Sequence, residues 1–169
     1  MILNVWVPAA GRLLSALLAI GGTLGFLVER PTGSKVEGKR LQRASGTFEL
    51  QVMQHDAGKH ELDLFPRMYL EKHFHGDIQG KSKAEMLSFR TESQTSGGYV
   101  ALERVEGTLE DKTGSFVLEH NGTMRQGIPQ MQVIVVPESG TGELKGIEGA
   151  MTIRIKDGKH FYNFEYTLP

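Results

Sequence analysis

The residues of this chain best placed to do chemistry are charged or imidazole side chains that fall in phase with apolar neighbours. Lys72 lies between Leu70 and Phe74 at the two-residue spacing of a strand, Glu85 is in phase with Leu87 and Phe89, and His120 is in phase with Phe116 and Leu118. If the apolar phase of each segment faces a core, all three side chains point inward. A buried, isolated charge is costly, so Lys72 and Glu85 need partners, and each can serve the other. Glu103 and Arg104 are adjacent, so one points in and the other out. An inward Glu103 beside His120 makes a carboxylate–imidazole pair, either a general base with its orienting partner or a buried structural contact. Lys72, Glu85, Glu103 and His120 are therefore the candidate ligand-binding residues, with Glu103 and His120 as the catalytic candidates. The bland alternative is that these groups sit at a rim, satisfied by water or by structural hydrogen bonds.

Other chemistries find less support. His73 and His75 share one strand face, which suits joint metal ligation, but Tyr69 and Glu71 share it too and mark it as a solvent face. With no third ligand in view, no metal is expected, and no cofactor motif stands in the chain. Gly80-Lys81-Ser82 lacks the earlier glycine and the following helix of a phosphate loop. Asn121-Gly122-Thr123 has only the form of a glycosylation acceptor. The absence of cysteine removes disulfides, thiolate nucleophiles and cysteine metal sites. A net charge of −1, and a basic segment without interleaved aromatics, argue against a nucleic-acid partner.

The elements that must position these residues read as strands. Period-two alternation runs through residues 47–53, 68–74, 84–90 and 115–120, and again through 150–156 and 162–168; residues 99–106 read as a strand with both faces mixed, and residues 131–136 are almost continuously apolar. Asp157-Gly158 is the strongest hairpin signal. The glycine-punctuated run Ser139-Gly140-Thr141-Gly142-Glu143-Leu144-Lys145-Gly146-Ile147-Glu148-Gly149 lies between two strand segments and would let a sheet curl while still pairing its backbone. Curled in this way, a sheet of about eight strands closes into a barrel. The expected fold is all-β, a single antiparallel closed barrel over residues 46–169.

Residues 1–45 differ. Residues 13–28 are apolar and uncharged, and as a helix would span about 24 Å, short of a roughly 30 Å hydrocarbon core unless residues 5–11 extend it. A membrane anchor or export signal is one reading, with membrane contact through 13–28; an upstream start codon before a soluble, cytoplasmic barrel is the other. Residues 31–44 form a polar, basic linker carrying Lys35, Lys39, Arg40 and Arg43.

Four ordered runs then carry a resemblance: Phe74-His75-Gly76-Asp77-Ile78-Gln79-Gly80, Gly98-Tyr99-Val100-Ala101-Leu102-Glu103-Arg104, Gly114-Ser115-Phe116-Val117-Leu118-Glu119-His120 and Val135-Val136-Pro137-Glu138-Ser139-Gly140-Thr141-Gly142-Glu143-Leu144. Together they resemble a bacterial domain-of-unknown-function family, number 3224, whose members look like the allene oxide cyclase type of β-barrel. The likeness covers residues 44–169 and implies the barrel; the family has no assigned role, and no cyclase catalytic motif is matched here.

Three kinds of function fit a small barrel. A binding module would hold a small apolar molecule in the barrel mouth, lined by Met86, Met131, Met151, Phe89, Phe116, Tyr162 and Phe164. A cofactor-free cyclase or isomerase would use the same cavity to impose a reactive conformation, with one or two polar residues moving protons. A structural barrel would instead be filled, and its outer faces would form a homo-oligomer contact.

Overall fold

In a computed structural model of the protein, residues 39–54 and 64–169 are described. The apolar segment 13–28, with its anchor, signal and start-site readings, lies outside them; no helix among the described residues is long and apolar enough to cross a membrane. Eight antiparallel strands follow one another: β1 (Gln42–Gln54), β2 (Arg67–Gly76), β3 (Ile78–Arg90), β4 (Gly97–Leu109), β5 (Lys112–Arg125), β6 (Ile128–Val135), β7 (Glu148–Lys156) and β8 (Lys159–Thr167). Each pairs with the next, and β1 pairs with β8 to close the barrel, Gly46 opposite Tyr162 and Phe48 opposite His160. The barrel starts at Gln42, inside the segment read from sequence as linker. Arg43 there pairs with Glu165, at 2.9 Å.

Of the 139–149 run, Gly149 sits inside β7, where a Cβ would lie 2.4 Å from the Glu165 carbonyl oxygen; the other close approaches of the sheet are made by glycines elsewhere. Gly80, Gly107 and Gly114 stand side by side across β3, β4 and β5. A Cβ at Gly107 would lie 2.2 Å from the Gln79 carbonyl oxygen, so the strands close up there as only glycine permits. Residues 139–147 leave the sheet instead. They pass along the first half of β5, where the Thr141 amide donates to the Ser115 carbonyl (2.8 Å) and Glu143 accepts from the Thr113 amide (2.8 Å). After a single 3-10 turn at Gly142–Leu144, the segment drives Leu144 and Ile147 into the barrel end.

That plugged end is dry and aromatic. Phe116 stacks on Phe164, with centroids 5.6 Å apart, Phe164 on Tyr166 (5.2 Å), and Tyr162 meets Phe74 edge-on (5.5 Å). The Tyr162 hydroxyl, seated over Gly46, accepts from the Ile78 amide at 2.8 Å, so its buried polar tip is satisfied. Val105, Leu109, Leu118 and Val135 complete the packing. Among the described residues, the opposite end, reached by the 91–96 turn and the β5–β6 and β7–β8 turns, is not filled in this way.

Candidate functional site

Four successive strands bring the charged residues together. Along the inward phase, Lys72 of β2 is opposite Ser82 of β3, Ala84 of β3 is opposite Glu103 of β4, and Ala101 of β4 is opposite His120 of β5. The small residues Ser82, Ala84 and Ala101 leave room for the long side chains beside them to converge. Glu103, wholly buried, accepts from Lys72 Nζ through Oε2 at 2.5 Å and from Ser82 Oγ through Oε1 at 2.5 Å. His120 Nε2 lies 2.7 Å from Glu103 Oε2, so the buried imidazole is in direct contact with the carboxylate. Lys72 Nζ also stands 4.8 Å over the Phe48 ring and 5.9 Å from that of Phe74, which caps the aromatic half of the barrel.

Burial alone would raise the Glu103 carboxyl; the Lys72 ammonium and the His120 contact outweigh it and hold the group at about 2. Glu103 is thus a fixed carboxylate near neutral pH and a weak proton acceptor. Its charge pushes the Tyr99 hydroxyl, already raised by burial, up to about 12. His160 stacks on Phe48 with centroids 4.9 Å apart, and its imidazole is shifted down, first by burial and then by repulsion from Lys72.

Above this floor lies a cavity of about 450 Å³, within the size range of ligand pockets. Lys72, Glu103 and His120 form its base, Leu50, Leu70, Met86, Tyr99 and Ile153 its walls, and Arg90, Gln94 and Met131 its mouth. One charged floor, an apolar wall and one basic residue at the mouth can hold an elongated, mainly apolar molecule by one polar end.

Of the sequence-predicted residues, Lys72, Glu103 and His120 meet as one cluster. Glu85 does not join them. It lies on the exposed face of β3, with Leu87 and Phe89 also exposed, while Ser82, Ala84 and Met86 face inward. The expected Lys72–Glu85 pairing is therefore replaced by Lys72–Glu103. The phase was misread because the outward residues of β3 are the more apolar ones. His73 and His75 are exposed, and no group of three or more potential metal ligands occurs among the described residues. Of the expected lining, Met86, Met131 and Phe89 border the cavity, whereas Met151, Phe116, Tyr162 and Phe164 are packed in the plugged half. Ser82, Tyr99 and His160 were missed; once the phase of β3 is set by its small residues, Ser82 follows as a polar group opposite Lys72.

Residues 44–166 match the model of a family described as a protein of unknown function (DUF3224). The crystal structure of a protein with unknown function from the DUF3224 family of Shewanella oneidensis MR-1 is similar at a TM-score of 0.70 and 39% identity, over 77% of this chain and 99% of that one. No curated protein matches. Neither match names allene oxide cyclase; what they carry is family and barrel.

Proposed function

Since the chain belongs to the DUF3224 family of proteins of unknown function, its role must be read from the barrel itself, and we propose that it binds a small, largely apolar molecule in the open half of the barrel, polar end down. The observation that carries this reading is the cavity of about 450 Å³ standing on a buried Lys72–Glu103–His120 floor. A filled interior would have supported a structural barrel. Lys72 and His120 are the contacts to the ligand. Glu103 is their anchor: a carboxylate held at about 2 is a poor general base at neutral pH, but it fixes an ammonium and an imidazole in place without moving.

The test is a fluorescence titration with 1-anilinonaphthalene-8-sulfonate, followed by displacement with a panel of small apolar compounds. Ala101 is buried beside His120 and lines the cavity. Ala101→Phe should fill the space and abolish saturable binding, while His120→Gln should weaken a displacing ligand by ~1–2 kcal/mol, about one hydrogen bond. Binding that survives Ala101→Phe undiminished places the ligand elsewhere and defeats the reading.

A further inference from the structure

We propose that the molecule this cavity takes is a small apolar monocarboxylate, its carboxylate resting on Lys72 and its hydrocarbon part against the walls. The inference rests on the binding reading and adds to it the chemistry of the polar end. Glu103 is the one acid among the described residues that line the cavity, whereas Lys72, Arg90, His120 and His160 all line it. That one carboxylate is sealed. Its Oε1 accepts from Ser82 Oγ, its Oε2 accepts from Lys72 Nζ and touches His120 Nε2, and its side chain has no exposed surface. The side chains of Lys72 and His120 each remain 7% exposed. A molecule descending to the floor therefore meets the ammonium and the imidazole, not the acid that holds them.

The ammonium selects the head group. It carries three donors and gives one to Glu103, which leaves it able to donate to a second acceptor. Lys72 and Glu103 cancel as a pair, but Coulomb attraction falls with distance, so a head group touching the ammonium feels that charge more strongly than the sealed one. Lys72 is also dehydrated before any ligand arrives, so the protein side of the contact has no further water to shed. A carboxylate gives the new hydrogen bond a charge on both partners, and a hydroxyl gives it a charge on only one. An alkylammonium head is repelled by Lys72 and finds both oxygens of the one carboxylate engaged. Arg90, exposed at the mouth, gives the entrance the sign that draws an anion in.

The test loads the full chain with N-phenyl-1-naphthylamine, a fluorescent probe without charge, near neutral pH. Octanoate, 1-octanol and octylamine, which share one hydrocarbon chain and differ at the head, then compete for the site. Octanoate should displace the probe with a Kd about tenfold or more below that of 1-octanol, as one charge-assisted hydrogen bond gives, and octylamine should be the weakest. An indifferent apolar pocket would rank acid and alcohol the other way, because the charged head is the costlier one to take out of water. Lys72→Met combined with Glu103→Gln removes both charges together; the double variant should still take up the probe, with octanoate's lead over 1-octanol lost. The series on the unaltered chain stands whether or not that variant folds. If 1-octanol or octylamine displaces the probe as well as octanoate does, the carboxylate is overturned and the binding reading is not. A lead for octanoate that persists in the double variant also overturns it, since the anion is then held elsewhere, as at Arg90. If the chain takes up no probe, or none of the three displaces it, the binding reading falls and this inference with it.

Discussion

Replacing Glu103 with Gln is the most informative single perturbation of the barrel. The side chain is wholly buried and lies 2.5 Å from Lys72 Nζ. At an effective dielectric of about 20, that separation corresponds to roughly 7 kcal/mol of attraction, most of which offsets the desolvation of the two charges. Glutamine keeps the shape and can still meet Ser82, but it leaves the Lys72 ammonium buried with little beyond the Phe48 ring at 4.8 Å. A cation–π contact contributes about 0.5–2 kcal/mol and does not replace a carboxylate. Removing one member of a buried pair therefore costs about 3–5 kcal/mol, on the order of 10–20 °C in melting temperature for a barrel of this size. Adding Lys72→Met removes the stranded charge, so the double variant should recover to within about 1–2 kcal/mol of wild type. Urea denaturation at neutral pH, followed by circular dichroism, measures all four corners of this cycle. If Glu103→Gln lies within about 1 kcal/mol of wild type and Lys72→Met brings no recovery, the two residues are not a coupled buried pair and the account of the floor is wrong.

Acid should unfold the barrel through the same cluster: Glu103 is lowered from 4.5 to about 2, so the unfolded chain takes up its proton first, and roughly 3 kcal/mol of stability present above pH 4.5 should be lost as pH falls toward 2. His160 is also shifted down from 6.5 and adds a smaller loss beginning below that pH; denaturation midpoints measured across pH should show the main limb in wild type and its absence in Glu103→Gln. Gly122→Ala would place a Cβ 2.3 Å from Tyr99 Cε1, so the ring must move; a stability loss of about 1–3 kcal/mol with a changed near-ultraviolet dichroism signal is expected, and an unaltered signal would contradict the packing. Leu144→Ala, at the buried centre of the plug, should cost about 2–5 kcal/mol in the same denaturation assay while leaving probe binding in the open half intact.

The strands were legible because alternation and hairpin turns are local signals, and β5 and β8 carry both plainly. The glycine run was legible as a bend and misleading as to its kind. Whether Gly140 and Gly142 curl a strand or release a loop depends on the β5 backbone that receives Thr141 and Glu143, and that partner is distant in sequence. The site was half legible. His120 sits in an apolar phase on a strand whose other phase is polar, so its direction could be read, and Glu103 could be named only as one of two adjacent alternatives. Glu85 was misplaced because the rule that apolar means inward fails when a cavity lets small and polar residues face in and the outer face is itself apolar. Ser82 and His160 became visible only through register, which pairs Ser82 with Lys72 and brings His160 opposite Phe48.

The ion-paired floor lies on the boundary between two halves with different work. Below it, stacked rings and the Leu144–Ile147 plug fill the barrel, and burial of that apolar surface supplies the driving force for folding. Above it, the walls enclose space, and cavity-lining side chains give up packing contacts that a filled core would have made. An apolar replacement of Lys72 and Glu103 would extend the dry half upward, at little or no cost and with potential gain in stability. Stability alone therefore gives no reason for charges at this level. The proposed ligand would supply one: Lys72 retains donors beyond the one given to Glu103, and an acceptor arriving from the cavity would meet them. On that proposal, the charged floor would set how deep the molecule descends and which of its ends leads.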